Sequence, residues 1–233
     1  MSAVRFSDAQ IELYSRQIIL RELGGNAQEK LLAARCLALG GGPALDTALS
    51  YLAGAGLGAI DRLSRERPGS RPGLPFAALP ARNPDVRLRD LTTAATLSLD
   101  DYELVVLVIA REDGLPAALP AGQPQVGSLA VLTAADGTLD LALLPRGAAC
   151  LACLDCSPSG ARAGGPDAAL DSARLGLAGA LLALAACRWI AGIERDPQPR
   201  AFRLGARSAL WVEGAVRRRA SCPRGCPPAA QPV

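Results

Sequence analysis

Arg35-Cys36-Leu37-Ala38-Leu39-Gly40-Gly41-Gly42-Pro43-Ala44-Leu45 runs on through Tyr51-Leu52-Ala53-Gly54-Ala55-Gly56-Leu57-Gly58 into Ala59-Ile60-Asp61-Arg62-Leu63. An apolar run of strand length meets a glycine turn. Apolar residues at helical spacing follow (Leu45, Leu49, Leu52), then a second glycine turn and a second apolar run. That order opens a nucleotide-binding βαβ unit. In a G-x-G-x-x-G turn, backbone amides approach phosphate at a helix N-terminus. Gly40 and Gly42 fill the first two glycine positions, but Leu45 stands at the third and Pro43 has no amide hydrogen. The stretch is either a nucleotide site or the remains of one.

The flanking sequence extends the α/β pattern. Upstream, Ser7 and Gln10 have the spacing of a capping box before Ile11, Tyr14, Ile18 and Ile19, with Leu23-Gly24-Gly25 as the expected stop. Gln28 to Ala34 reads as a second short helix. Downstream, Arg62 to Pro84 is rich in Pro, Gly and Arg and reads as a loop. Val86-Arg87-Leu88 is a short strand candidate, and Tyr102 to Ala110 is the clearest buried strand. Gly127 to Thr133 reads as another, and the alternation of Thr138 to Leu144 suggests an antiparallel one. Ala168 to Gly192 reads as a long helix, apolar almost all round and so expected to be buried; Arg200 to Arg217 holds one or two strands. The expectation is a Rossmann-like, mostly parallel sheet flanked by helices, with a C-terminal antiparallel extension. One domain covers residues 1–226: helices over 1–34, the core over 35–149, and a cysteine loop, long helix and C-terminal strands over 150–226. A flexible tail covers 227–233.

Composition removes several classes of function. The 233 residues contain no histidine, which excludes histidine acid–base chemistry, Ser-His and Cys-His nucleophiles and histidine metal ligands. Lys30 is the one lysine, so a phosphate contact must use it or an arginine. The net charge of +3, with Arg217-Arg218-Arg219 as the only basic run, gives no case for nucleic acid. The polar N-terminus does not read as a secretory signal, and the longest apolar run, Leu175 to Ala186, is shorter than a bilayer crossing. A cytoplasmic chain without a membrane partner is expected. There the seven cysteines favour metal ligation or free thiols over disulfides. Cys36 and Cys187 read as small buried apolar residues.

One ordered set of motifs is more specific. Tyr14-Ser15-Arg16-Gln17-Ile18-Ile19-Leu20, the glycine turn, Tyr51 to Gly58, Asn83-Pro84, Cys150-Leu151-Ala152-Cys153, Trp189-Ile190-Ala191-Gly192 and Cys222 with Cys226 occur in this order. Together they resemble the ThiF/MoeB/HesA family, relatives of ubiquitin-activating enzymes, over roughly residues 6 to 226. The resemblance implies adenylation, with MgATP, of the C-terminal glycine of a ubiquitin-like sulfur carrier. It also implies a homodimer, or a heterodimer with a related activating enzyme, in which Arg16 reaches the ATP phosphates of the other subunit. A structural zinc ion is implied on Cys150, Cys153, Cys222 and Cys226, with Cys156 spare or reactive. The alternative is unligated thiols. The second cysteine pair is one residue wider than the family's C-x-x-C, and Gly225 fits that wider turn.

The departures from the family pattern concentrate on ATP. Ser64 stands where the family has a ribose-binding acid, and Ala110 where it has a magnesium-binding aspartate. No lysine follows Lys30, the Asn…Arg-Gln segment has no counterpart, and no cysteine lies between Ser157 and Ala186. Without a carboxylate, Mg²⁺ loses its anchor; without the cations, departing pyrophosphate is poorly stabilised. The expectation is a degenerate subunit, with Gly40, Gly42, Ser64 and Ala110 as the vestigial nucleotide site, that binds a carrier, a related activating enzyme, or both. The alternatives are an active adenylyltransferase rebuilt around Arg65, Arg67 or Asp113, and a scaffold in a biosynthetic cluster.

Overall fold

The computed structural model describes residues 6–64, 76–92, 97–110, 126–134, 137–147, 168–194, 198–205, 211–216 and 222. The described helices are α1 (Asp8–Ile18), α2 (Gly24–Ala33), α3 (Pro43–Gly54) and α4 (Ala168–Ala191). The strands are β1 (Arg35–Gly40), β2 (Ala59–Ser64), β3 (Arg87–Asp90), β4 (Leu104–Ala110), β5 (Gly127–Thr133), β6 (Leu139–Leu144), β7 (Arg200–Leu204) and β8 (Trp211–Ala215). They form one sheet in the order β3-β2-β1-β4-β5-β6-β7-β8. The first five in that order run parallel, and β6, β7 and β8 join by antiparallel pairing. The mostly parallel Rossmann-like half and the antiparallel extension are both as the sequence implied.

Alternation along β1 builds two cores. Cys36 and Ala38 face one side, and Leu37 and Leu39 the other. The first core is closed by Leu45, Ala48, Leu49 and Leu52 of α3 and by Ala178, Leu182 and Ala186 of α4. The second is built from strand residues with Leu99, Tyr102 and Val126; among the described residues no α-helical side chain enters it. Every residue of β4 is buried, as its unbroken apolar run requires of a central parallel strand.

Several local expectations are corrected. The capping box at Ser7 and Gln10 is formed, but α1 ends at Ile18 rather than at the glycines. Gly24, at φ 65, begins α2 instead, four residues earlier than expected. Within the Arg62–Pro84 stretch, β2 continues to Ser64 and Phe76–Ala81 is a 3-10 turn with Phe76 and Leu79 buried. Tyr102 precedes β4, hydrogen bonded through its amide to Leu99. The long helix is not buried all round: Leu177 is 48% and Leu184 57% exposed. Taken as a helix, Ser172–Ala191 has the length and mean hydropathy (1.4) of a bilayer crossing, although the apolar run alone does not. It packs on α3 and α2 and supplies side chains to the first core.

The α3–α4 contact depends on Gly179. A β-carbon there would overlap the Ala44 carbonyl and lie 2.9 Å from Thr47 Cβ. Backbone cannot yield as a flexible side chain does, so Gly179→Ala is expected to lower stability by about 1–3 kcal/mol through overpacking. Gly176, one turn earlier, has nothing within 4 Å of a β-carbon. Gly176→Ala is therefore expected to raise stability by about 0.5–1 kcal/mol through helix propensity. Urea midpoints of the two variants, moving in opposite directions, check this packing.

Candidate functional site

Connections run from β1 to β2 and β3 on one side and return to β4 on the other, so the chain reverses direction between β1 and β4. In such sheets ligands bind beyond the carboxyl ends of the strands at this crevice. Gly40, Ser64 and Ala110 end β1, β2 and β4, and Gly40 pairs in register with both Ser64 and Val108. Gly42 caps α3 at the same edge. The structure thus brings together all four residues assigned to the vestigial nucleotide site.

The turn itself is poorly supplied with donors. Gly40 adopts φ 100, and a β-carbon on it would overlap the Val108 carbonyl. Its glycine is required by the approach of β1 to β4, whatever binds beyond it. The Gly41 amide donates to that same Val108 carbonyl at 3.4 Å. Pro43, at the first position of α3, has no N–H. Leu45 is 1% exposed in the first core, so the third glycine position is filled by a core side chain. Only Gly42, at φ 93 with open space around it, keeps the character of a phosphate-turn glycine. Asp46 adds a carboxylate to the first turn of α3. That suits the helix dipole and opposes an incoming phosphate.

The cations are placed elsewhere. Arg62 pairs with Asp90 at 2.8 Å and lies 4.4 Å over the Phe76 ring. Lys30 reaches the Ala191 carbonyl at the end of α4, 3.3 Å away. It lines a cavity of about 730 Å³ with Glu103, Leu104, Gly127, Arg146 and Trp189. Those residues mark the amino ends of β4 and β5, so the only lysine stands at the opposite pole from Gly40. At roughly 3.3 Å per residue, β1 alone separates the two poles by about 17 Å. A further carboxylate, Asp61 on β2, is 3% exposed. It accepts from Arg89 (2.6 Å), Arg35 (2.8 Å) and Tyr102 Oη (2.7 Å). With three donors, Asp61 ties the strand edge together and is not free for a metal ion.

Arg16 lies on α1, exposed, with no hydrogen bond or ion pair among the described residues. On the same segment Ile11, Leu13, Ile19 and Leu20 are all at least 44% exposed. Tyr14 fixes the helix that carries it. Its ring is buried, its hydroxyl donates to Asp85 Oδ2 at 2.8 Å, and it accepts from Asn83 Nδ2 at 2.8 Å. Asn83 also donates to the Ala53 carbonyl and accepts from the Asp85 amide. Gly56 leaves the space in which the Tyr14 ring and Gln28 lie. Tyr14, Asn83 and Gly56 appear in the sequence only as separate motif letters; nothing in one sequence joins them. Burial pushes the Tyr14 hydroxyl up to about 12, and the neighbouring Asp85 adds to the rise.

Of the expected zinc ligands, Cys150, Cys153 and Cys226 lie outside the described residues, as does Cys156; Cys222 is half-buried after β8. Among the described residues no cluster of three metal-ligating side chains occurs. Cys36 is buried in β1 as expected, with its thiol raised to about 12 by burial, and Cys187 is partly buried on α4. Arg65, Arg67 and Asp113 also lie outside the described residues.

The chain thus presents an open, mostly parallel sheet with its crevice at the β1–β4 edge. No family model matches the chain. In sequence it is similar to the sulfur carrier protein ThiS adenylyltransferase of Escherichia coli, strain K12: 27% identity over 246 residues, covering 93% of this chain and 96% of that protein. Its fold is similar to that of E. coli MccB in complex with MccA-N7isoAsn, with a TM-score of 0.61 at 13% identity over 85% of this chain and 68% of that one. It is likewise similar to that of PaaA, with a TM-score of 0.58 at 14% identity over 93% and 86%. The resemblance to the ThiF/MoeB/HesA family therefore holds over nearly the whole chain.

The Tyr14 anchor has a pH signature. A hydroxyl raised from 10 to about 12 in the fold is held neutral there. Its contribution is fully present below pH 10 and is lost as pH rises towards 12. Tyr14→Phe is expected to cost about 1 kcal/mol at neutral pH by removing the bonds to Asp85 and Asn83. Urea midpoints of wild type and variant should then converge between pH 10 and 12.

Proposed function

We propose that this chain is a degenerate ThiF/MoeB-like subunit, cytoplasmic, that binds a ubiquitin-like sulfur-carrier protein, a related activating enzyme, or both. It does not adenylate alone, and it lends Arg16 to the ATP site of a partner subunit. The observation that carries this reading is the contrast between the two places where ATP chemistry would reside. At the chain's own crevice the strand ends are Ser64 and Ala110, the Gly41 amide is bonded to Val108, and Lys30 lies at the far pole. By contrast, Arg16 on α1 is exposed and unpaired among the described residues, on a segment that also exposes Ile11, Leu13, Ile19 and Leu20. Such a surface suits an arginine that works across a subunit boundary, where a guanidinium stabilises charge on a transferring phosphoryl or adenylyl group.

Among the described residues the strand ends of the crevice carry no carboxylate and no lysine, so catalysis by positioning and charge stabilisation has few donors to draw on there. A structural zinc on Cys150, Cys153, Cys222 and Cys226 is part of the proposal. It would pin the segment after β8 to the loop before α4.

Two measurements test it. Isothermal calorimetry of the purified full chain with MgATP is expected to give no saturable heat up to about 1 mM, an affinity equivalent to roughly 4 kcal/mol. MgATP-dependent pyrophosphate exchange by the chain alone would overturn the reading. Added to a competent ThiF-type enzyme and its carrier, the chain should raise exchange, and Arg16→Ala should reduce that gain about tenfold, roughly 1.4 kcal/mol of transition-state stabilisation. Metal analysis of the same preparation should find one zinc per chain, lost in Cys222→Ser.

A further inference from the structure

A second concavity lies at the pole of the sheet opposite the crevice. At about 730 Å³ it has the size of a small-molecule site. Its floor is apolar where α4 meets the sheet: Leu104 and Gly127 open β4 and β5, and Trp189 and Ile190 come from the last turn of α4. The Trp189 ring packs on Gly127, where a β-carbon would lie 3.3 Å from it. The indole Nε1–H is buried and meets no acceptor among the described residues. A buried donor left unpaired is unfavourable, and a ligand oxygen can supply what the chain does not. Charged residues flank this floor. Glu103 precedes β4 and Arg146 follows β6. Continuing the β4–β5 and β5–β6 registers puts Glu103, Val126 and Arg146 in one row. Two strand spacings, about 10 Å, separate the two charged residues at the backbone. Both are exposed. Among the described residues Arg146 has no ion pair, and Glu103 accepts from the Arg35 amide alone, at 2.6 Å. Lys30 is turned to the Ala191 carbonyl, where it offsets the negative end of α4.

We propose that this cavity binds a small zwitterion, a molecule with a carboxylate and an ammonium group at the two ends of an apolar body. Arg146 takes the carboxylate through its fork of donors, Glu103 takes the ammonium, and the body lies over Leu104 and Trp189. Simpler ligands fit less well. Among the described residues the charges lining the cavity cancel, Lys30 and Arg146 against Glu103 and Glu194, so neither a polyanion nor a polycation gains net attraction. An uncharged apolar molecule would desolvate Arg146 and Glu103 without pairing them. Two residues of extended chain span about 7 Å, so a zwitterion of dipeptide size suits the row once the two side chains reach inward. The indole N–H is shielded as the ring lies, and a bound carboxylate reaches it by turning the ring. The cavity shares none of its described residues with the β1–β4 crevice or the surface around Arg16, so its ligand does not depend on the proposed subunit role.

The probe is the dipeptide leucyl-phenylalanine, and the protein is the full chain carrying Trp211→Phe, which leaves Trp189 as its one tryptophan. The dipeptide is expected to change Trp189 emission saturably, with a dissociation constant of about 1 mM or lower. Calorimetry on the unsubstituted chain should return the same constant. Arg146→Ala and Glu103→Gln should each weaken binding about tenfold at an unchanged thermal midpoint, since both side chains are exposed. The dipeptide amidated at its carboxyl end should bind about tenfold more weakly and be indifferent to Arg146→Ala. The form acetylated at its amino end should weaken likewise and be indifferent to Glu103→Gln. Absence of saturable binding by both methods overturns the proposal. So does binding that both variants leave unaltered, and so do blocked dipeptides that bind as tightly as the free one.

Discussion

The contact between the end of β1 and the Val108 carbonyl governs the rest of the structure. Gly40 passes so near that carbonyl that no side chain fits, and the Gly41 amide is drawn onto the same oxygen. This fixes where the chain leaves the sheet, and hence where α3 starts and which face of it meets the core. With α3 so placed, α4 crosses its first turn at Gly179, close enough that a β-carbon would strike the Ala44 carbonyl. Sheet, turn and helix pair are thus locked by two backbone approaches, each depending on a missing side chain. Neither approach requires a ligand.

That constraint separates the glycine turn's structural role from its chemical one. In a working phosphate turn, the same glycines serve the fold and free the amides for the ligand. Here the structural demands are met and the donors are not spared: one amide bonds β4, one position is proline, and the third glycine position is a leucine in the core. Asp46 then places negative charge where the helix dipole would otherwise attract phosphate. Pro43 at the first helical position and Leu45 in the core both serve the placement and packing of α3.

Legibility in the sequence followed physical scale. The apolar runs of β4 and β5, the alternation of β6 and the helical spacing of α3 and α4 were readable because burial on a regular element imposes its own period. Gly40, Gly42, Ser64 and Ala110 could be placed at one edge because the motif order fixed which strands they end. What could not be read came from tertiary partners. Tyr14 reaches Asn83 and Asp85 across some seventy residues, and Asp61 gathers Arg35, Arg89 and Tyr102 from three other segments. No local spacing encodes such meetings. The start of α2 at Gly24 was missed because a glycine that usually stops a helix here supplies the left-handed turn before the next one. The complete burial expected of α4 failed because composition reports how apolar a helix is and not how many of its faces the chain itself covers.

The two helices that bracket the core show what the fold retains outside the crevice. α1 is held to the body through Tyr14, Gln10 and their partners around Asp85, while most of its apolar side chains remain in solvent. α4 is held through Gly179, Ala178 and Leu182, yet keeps a leucine stripe exposed. Isolated apolar residues on a surface carry no meaning, but contiguous ones on anchored helices have a cost in water that the chain's own packing does not offset. Replacing these side chains by polar ones would cost the described core little, so their apolar character answers to no packing among the described residues.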